Sequence, residues 1–283
     1  MQRRILIVDD HDDLSTALEE VFSNSGYYVK TTESRAEAVE LDETDSYDLV
    51  ISDLDGDKAF PNKKTEQNDN SCLPEGEAEE YDRRHVKAFK ICATNYRRED
   101  YNEDELKNLF ETVLNYKAQF VDKMQAVQQI REKIEFVFPS AISLMHSILD
   151  YLMKRVEKVG VVNPESSNLF IALDEAFVNA VKHGNKFDAN KTVRVSAEVS
   201  TKEARFTIED EGEGFDVESI PDPRNPENLF KASGRGVLFI YNIMDEVRYN
   251  ERGNRLEMIK KNEKYKDDKY KENEIKETEI QVT

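Results

Sequence analysis

The sequence has few cysteines, no tryptophan and no long run of apolar residues. Its two cysteines, Cys72 and Cys92, have no spacing typical of a zinc site or a disulfide framework, and both suit a reducing compartment. No segment approaches the roughly 20 apolar residues of a membrane-spanning helix. The basic start, residues 1–10, contains an apolar run too short for a signal peptide. We therefore expect a cytoplasmic protein that does not insert into a membrane.

Positive charge is also in deficit. The 283 residues include 59 acidic and 40 basic side chains, which gives a net charge of −19. Such a charge opposes non-specific binding to nucleic acid or to an anionic membrane surface. It is compatible with a protein partner that presents basic groups. The length suits roughly two domains.

The first part of the chain alternates between short apolar runs and amphipathic stretches. The predicted strands and helices, in chain order, are residues 4–8, 14–25, 27–31, 34–43 and 47–53. This β–α–β–α–β alternation indicates a parallel sheet with right-handed crossovers. The pattern stops at residues 55–84, which are polar, mostly acidic and without periodicity, so we expect a disordered acidic insertion there.

A long amphipathic pattern follows at residues 102–132. Asn102 is a candidate N-cap, and acidic residues occupy the favourable first turn. The length predicts a helical linker between two domains and a surface through which two copies form a homodimer.

The remaining segments predict an α+β unit, with helices on one face of a mostly antiparallel sheet. The predicted strands are residues 133–139, 191–200, 203–212 and 255–261, and the predicted helices are 140–158, 165–184 and 234–247. The end of the chain is almost entirely charged and is expected to be flexible. The resulting domain boundaries are 1–101, 102–132, 133–261 and 262–283.

The stretch "LDEAFVNAVKHGN" combines an apolar helical pattern with a polar stripe. Glu175, Asn179 and His183 follow one another at four-residue steps and therefore share one helix face. A carboxylate and an amide one turn apart suit Mg²⁺ binding together with a general-base role. We interpret His183 as a structural residue at the helix end.

Two glycine-containing stretches accompany this helix. In "DEGEGFD", Asp210 ends a strand and precedes Gly212 and Gly214, and in "SGRGVLF", Gly234 and Gly236 precede an apolar helix. Glycines at a helix N-terminus let backbone N–H groups approach a phosphate, and a strand-end aspartate can accept a hydrogen bond from an adenine amino group. Each stretch alone is weak evidence, since glycine pairs usually mark turns. The ordered set is much stronger.

With these motifs, residues 133–260 resemble the GHKL ATP-binding domain, in the branch of anti-sigma-factor serine kinases of bacterial partner switching. The resemblance implies that Glu175 is the general base toward a serine or threonine hydroxyl. It implies that Asn179 holds an Mg²⁺ ion bridging the ATP phosphates, and that Asp210 binds the adenine amino group.

The same resemblance assigns the glycines. Gly212 and Gly214 would shape the adenine pocket. The set Gly234, Arg235 and Gly236 would lie against the phosphates, and residues 215–233 would form a short lid.

Residues 3–55 resemble the flavodoxin-like receiver domain of bacterial response regulators. The resemblance implies that Asp9 and Asp10 bind Mg²⁺ together with Asp53, and that Asp53 accepts a phosphoryl group from an upstream kinase. Carboxylates at the carboxyl ends of parallel strands can converge on such a cation.

Beyond Asp53 the receiver resemblance weakens. Residues 86–96 either hold the end of a fourth helix and a fifth strand, with Glu99 where the family has a lysine, or they hold a fourth strand with Thr94 as the switch residue. In both interpretations the lysine that would neutralise an aspartyl phosphate is not evident. We therefore describe this domain as a degenerate receiver.

These observations predict an ATP-dependent serine/threonine kinase that also binds a sigma factor or an antagonist protein, modulated by the receiver-like domain. The alternative is a non-catalytic, ATP-dependent adaptor that sequesters a regulatory partner. A histidine kinase is disfavoured because His146 is followed by Ser147 and Ile148 rather than by an acidic residue. An ATPase of the chaperone or mismatch-repair type would need a transducer domain that the sequence lacks.

Overall fold

One continuous β-sheet runs through both halves of the chain. The computed structural model describes residues 2–44, 47–60, 72–74, 86–97, 101–122, 131–163, 167–216 and 235–266. Within these residues the strands are β1 (Arg4–Asp9), β2 (Tyr28–Thr32), β3 (Leu49–Asp55), β4 (Val86–Cys92), β5 (Arg131–Pro139), β6 (Thr192–Val199), β7 (Glu203–Asp210), β8 (Glu246–Tyr249) and β9 (Arg255–Lys261). They lie in the order β2-β1-β3-β4-β5-β6-β7-β9-β8.

Helices cover both faces of the first half of this sheet and one face of the second half. They are α1 (Ser15–Asn24), α2 (Arg35–Thr44), α3 (Glu103–Tyr116), α4 (Met145–Val159), α5 (Leu169–Val178), α6 (Arg235–Ile243) and α7 (Glu263–Lys266). No helix in the described ranges combines the length and apolar character needed to cross a bilayer.

The first three strands form the predicted parallel sheet. β1 lies between β2 and β3 and pairs with both in parallel. Both faces of β1 are buried, because Leu18 and Phe22 of α1 pack in the cluster on one side and Ala38 of α2 packs in the cluster on the other. The predicted β–α–β–α–β alternation is confirmed here.

The fourth strand does not follow an all-parallel, flavodoxin-like sheet. β4 runs antiparallel to β3, so that Cys92 lies opposite Val50 at the beginning of β3. Thr94, which follows β4, therefore lies at the opposite edge of the sheet from Asp53, and the interpretation of Thr94 as the switch residue is wrong. The other interpretation is also wrong, because residues 86–92 are strand throughout rather than a helix end. An antiparallel neighbour needs no crossover helix.

The strand pair β4–β5 joins the two halves. It is parallel, from Val86 opposite Arg131 to Cys92 opposite Val137. On the helix-covered face, the ring of Phe89 meets the ring of Phe136 edge-on, with centroids 6.2 Å apart. The sheet and its apolar core thus continue from one half into the other.

The second half confirms the predicted α+β arrangement. Each neighbouring strand pair from β5 to β9 is antiparallel, and α4, α5 and α6 pack in layers on one face. The predicted helix at 234–247 is wrong at its end. α6 stops at Ile243, because residues from Glu246 onward pair with β9 as the additional strand β8.

Helix α3 packs on the sheet instead of bridging separate domains. Asn102 caps it as predicted, since its Oδ1 accepts the backbone N–H groups of Asp104 and Glu105. Its apolar face is buried in the shared core through Leu106, Leu109, Phe110, Val113 and Leu114. A π-type turn, Lys117–Val121, extends it.

The predicted helical linker at 102–132 is wrong at its end, because β5 begins at Arg131. Residues 123–130 lie outside the described ranges. Since the sheet already covers the apolar face of α3, that face is not available for the proposed homodimer contact.

The predicted disordered insertion is ordered at the positions that the structure describes. β3 continues to Asp55, and Phe60 and Leu73 are buried against the sheet. Cys72 and Cys92 lie in the same buried cluster and form a disulfide, with Cα atoms 5.2 Å apart. The lack of a typical disulfide spacing in the sequence therefore did not exclude this pairing. Twenty residues of sequence separation gave no sign of this contact.

The predicted flexible tail begins with ordered residues. The side-chain amide of Asn262 donates to the carbonyl oxygens of Gly160 and Thr201, both at 2.9 Å, and α7 follows. The tail prediction for residues 267–283 lies outside the described ranges.

Candidate functional site

Helix α5 presents the predicted polar face. Its apolar side packs toward the sheet, while Glu175 and Asn179 remain partly exposed. The predicted helix at 165–184 is not uniform, because hydrogen bonding changes to the π type over Asn179–Gly184. Such turns are rare and occur frequently at functional sites.

Glu175 lies against the first turn of α6. A Cβ atom added to Gly236 would fall well under 3.0 Å from Oε2 of Glu175. The glycine therefore lets this carboxylate lie beside the amino end of α6, where backbone N–H groups can bind an anion. The structure thus brings the predicted base and one predicted phosphate-side glycine together.

Two residues of the predicted phosphate side and most of the predicted lid are not described to the same extent. Arg235 begins α6, but its side chain is not among the described groups. Gly234 and most of the predicted lid, residues 217–233, lie outside the described ranges.

Asp210 is held between two glycines. A Cβ atom on Gly184 would collide with the Asp210 carboxyl group, and one on Gly212 would collide with the backbone oxygen of Gly184. The N–H of Gly212 donates to Oδ1 of Asp210 at 2.8 Å. Burial raises the pKa of Asp210 above its ordinary value, although the Gly212 N–H acts in the opposite direction.

A second turn fixes the loop that carries Gly214. Gly214 and Gly253 both have positive φ angles, of 77° and 78°, and each lies against the backbone of the other's loop. The N–H of Phe215 donates to the carbonyl of Arg252 at 3.1 Å, and the Arg252 guanidinium donates to the carbonyl of Gly212 at 2.7 Å. The sequence motifs missed Gly253 and Arg252, because they lie about forty residues after Asp210.

A cavity of about 340 Å³ lies between these elements. Asn179, His183 and Asp210 contribute polar groups to its lining, and Ile208 and Tyr249 contribute apolar surface. This combination suits an adenine ring with a polar edge. The side-chain oxygen of Asn179 is the kind of ligand that Mg²⁺ prefers, so the residues fit ATP with Mg²⁺.

Asn185 connects the elements around the cavity. It is fully buried, and its amide N–H₂ donates to Ser140 Oγ and to the carbonyl of Thr192, both at 2.7 Å. Its Oδ1 accepts the N–H of Glu211 at 2.9 Å. Asn185 thereby ties the end of the π turn to the loop after Asp210. Asn185 is the last residue of the motif "LDEAFVNAVKHGN", and the motif gave no indication of these hydrogen bonds.

In the receiver-like half, Asp9 caps a helix. Its Oδ2 accepts the backbone N–H groups of Leu14 and Ser15, both at 2.8 Å, and its Oδ1 accepts that of His11. One oxygen is therefore engaged with the start of α1 and the other with the loop that precedes it. The prediction that Asp9 binds Mg²⁺ stays a prediction.

Asp53 is buried and ion-paired with a lysine. Oδ2 of Asp53 lies 2.5 Å from Nζ of Lys117, which belongs to the π turn after α3. Burial alone would lower the pKa of Lys117, but the carboxylates of Asp53 and Asp122 raise it above its ordinary value. No local sequence pattern indicated this lysine, because it lies 64 residues after Asp53.

Asp10 lies with different residues from those predicted. One oxygen each from Asp10 and Asp55 and a ring nitrogen of His11 come within 4.8 Å of one another. Lys58 Nζ lies 3.3 Å from Asp10, and Lys87 Nζ lies 3.3 Å from Asp55, so lysines already neutralise both carboxylates. Among the described residues, Asp9, Asp10 and Asp53 do not form one group at metal-binding distances.

Both halves of the chain match families of known proteins. A family model described as a histidine kinase-like ATPase domain matches residues 138–260, and one described as a response regulator receiver domain matches residues 5–56. This chain carries both kinds of domain. The receiver match ends at residue 56, directly after β3 and before the antiparallel β4.

Individual relatives match the ATPase-like half. The serine-protein kinase RsbW of Staphylococcus epidermidis is 28% identical over 142 residues, which cover 47% of this chain and 89% of the relative. The serine-protein kinase RsbW of Staphylococcus aureus strain Newman matches with the same identity and coverage. The ATPase-like half is thus homologous to RsbW. In this chain it is fused to a receiver domain.

Proposed function

We propose that this protein is an ATP-dependent serine/threonine protein kinase of the partner-switching type. It binds a sigma factor or comparable regulator and phosphorylates an antagonist protein. The contact between the Glu175 carboxylate and the first turn of α6 carries this proposal. It places a proton acceptor beside the helix end where a terminal phosphate would bind.

The proposed residues have separate roles. Asp210 accepts a hydrogen bond from the adenine amino group, and the amino end of α6 faces the phosphates. Asn179 would hold Mg²⁺, which neutralises phosphate charge when it is bound. Glu175 takes the proton of the substrate hydroxyl, whose oxygen forms a bond to the γ-phosphorus while the bond to the β–γ bridging oxygen breaks and ADP leaves.

Phosphate transfer from labelled ATP to a candidate antagonist tests the proposal. Glu175→Gln keeps the size of the side chain and removes the base, so we expect transfer to fall by about 10²- to 10⁴-fold while ATP still binds. Glu198→Gln, on the exposed part of β6, is the matched control and should transfer phosphate normally. Equal transfer by wild type and Glu175→Gln would remove Glu175 as the base.

The second candidate is a non-catalytic adaptor whose shape depends on ATP. The receiver-like half favours it, because the antiparallel β4 and the pairing of Asp10 with Lys58 both depart from the receiver arrangement. ATP binding without transfer to any candidate antagonist would support the adaptor.

The receiver-like half is proposed to bias the output of the ATPase-like half. Asp53 as a phosphoacceptor remains a prediction, and Lys117 supplies the ammonium group that such a site needs. Incubation with Mg²⁺ and a small phosphodonor, followed by mass spectrometry of the intact chain, tests it. An unmodified Asp53 would leave the receiver-like half as a docking module.

A further inference from the structure

A buried chain of charges begins at Asp53. The ammonium group of Lys117 lies 2.5 Å from Asp53 Oδ2 and 3.5 Å from Asp122 Oδ1. All three side chains are less than a tenth exposed. Lys117 is therefore shared between a carboxylate of the receiver-like half and a carboxylate at the end of the α3 extension.

The chain of charges ends on helix α4 of the ATPase-like half. Arg155 lies 3.2 Å from Asp122 Oδ2, and its guanidinium also donates two hydrogen bonds to Glu132 of β5. The hydroxyl of Tyr151, also on α4, donates to Asp122 Oδ2 at 3.1 Å. These groups are as buried as Lys117.

Each cation in this chain of charges bridges two carboxylates. Three carboxylates, Asp53, Asp122 and Glu132, face the two cations Lys117 and Arg155. In a buried site an ion that loses a partner must find another, since an unpaired buried charge is strongly destabilising. A change of charge at Asp53 therefore changes how strongly Lys117 pairs with each of its two carboxylates. The strength of the ion pair between Asp122 and Arg155 changes with it.

The position of α4 links this redistribution to the candidate site. α4 packs directly on α5, which carries Glu175 and leads into Asn179. A shift in how Arg155 anchors α4 thus reaches the helix that lines the nucleotide cavity through a single helix–helix contact.

We propose that α4 senses the charge at Asp53 through Lys117 and Asp122, so that the receiver-like half sets the ATP affinity of the other half. Lys117, Asp122 and Arg155 are positioning residues in this scheme. The ATP readout depends on the proposed function of the cavity. The effect of Asp53 on the packing of α4 does not depend on that function.

Neutralising Asp53 has a defined direction. In Asp53→Asn, Lys117 loses one of its two carboxylate partners and pairs wholly with Asp122. Asp122 is then held less by Arg155, and α4 loses part of its anchor. Extra negative charge at residue 53 acts in the opposite direction, because it draws Lys117 away and leaves Asp122 to Arg155.

Hydrogen exchange of the full-length chain, combined with calorimetric titration of ATP, tests the proposal. In Asp53→Asn we expect exchange of the backbone N–H groups of residues 145–159 to accelerate by roughly tenfold, since local opening has its own free energy. We expect ATP to bind about fivefold or more weakly, the lower end of usual coupling between sites. The matched control is Asp48→Asn, because Asp48 is equally buried and ion-paired, with Arg3, but lies outside the chain of charges.

The outcomes separate the inference from the proposed function. If residues 145–159 exchange alike in Asp53→Asn and Asp48→Asn, the inference is overturned. If wild type does not bind ATP, the proposed function fails while the exchange comparison still decides the role of Asp53.

A second variant covers the case in which Asp53→Asn does not fold. Lys117→Arg keeps the charge but changes the geometry, and it should also accelerate exchange in residues 145–159. Unchanged exchange there would contradict the proposal.

Discussion

Lys90 of β4 and Glu135 of β5 face each other across the strand pair that joins the two halves, with Lys90 Nζ 3.1 Å from Glu135 Oε1. The ammonium of Lys90 also donates to the carbonyl of Leu73 at 3.1 Å, and Glu135 accepts a further hydrogen bond from Arg194 of β6. Lys90 is 1% exposed and Glu135 is 5% exposed. An ion pair buried at this depth fixes which residues of the two strands lie opposite each other.

Lys90→Met should lower the free energy of unfolding by about 3–5 kcal/mol, because it leaves the Glu135 carboxylate buried without this cation. Urea denaturation followed by circular dichroism measures the change. The double variant Lys90→Met with Glu135→Leu should recover most of the loss, since no buried carboxylate remains and the partly exposed Arg194 can be solvated. A double variant as unstable as the single one would show that packing, not charge, explains the effect.

Gly184→Ala should weaken ATP binding by about tenfold or more, which corresponds to about 1.4 kcal/mol. The new methyl group would push the Asp210 carboxyl group from its place between Gly184 and Gly212. Calorimetric titration of ATP provides the measurement. Lys182→Ala, in the same π turn but exposed, is the control and should bind ATP as wild type does. Unchanged affinity in Gly184→Ala would argue against Asp210 as the adenine partner.

Asn185→Ala should cost about 3 kcal/mol of stability, because several buried partners lose their hydrogen bonds at once. Thermal unfolding of the variant would show this cost. The exposed Asn190 provides a matched substitution, and Asn190→Ala should change stability by no more than about 0.5 kcal/mol. Similar losses in both variants would contradict the role of Asn185 as the link between loops.

ATP affinity should decrease on acidification earlier than an ordinary aspartate would cause. Burial raises the pKa of Asp210, so this carboxyl group takes up its proton at a higher pH than usual. The protonated form is a poorer acceptor for the adenine amino group. The affinity for ATP is therefore highest above the raised pKa of Asp210 and decreases as the pH falls through that pKa.

Calorimetric titration at a series of pH values tests this dependence. Asp210→Asn has no carboxyl group to titrate, so its weaker ATP binding should change less with pH than that of wild type. Parallel pH profiles would assign the effect to other groups.

The sequence predicted those parts of the molecule that local patterns encode. The polar face with Glu175 and Asn179 follows from helical spacing, and the parallel strands β1 to β3 follow from alternation. Gly236 lies at the amino end of an apolar helix beside Glu175, and its place on the phosphate side stays a prediction.

Features that depend on distant residues were not predictable from those patterns. The direction of β4 is decided by its pairing with β3 and β5, across a segment of more than twenty residues without periodicity. Lys117 lies 64 residues from Asp53 and reaches it from a π turn, whose geometry has no sequence signature. The contact between Cys72 and Cys92 likewise exists only because both lie in one buried cluster.

Strand β5 is hydrogen-bonded along both of its edges, to β4 on one side and to β6 on the other. Trimming the chain to its ATPase-like part would strip the β4 side and leave a row of backbone N–H and C=O groups without partners. An exposed edge strand of this kind promotes aggregation through pairing with strands of other molecules. Aggregation of such a fragment would therefore result from the loss of β4, not from a defect in the nucleotide site.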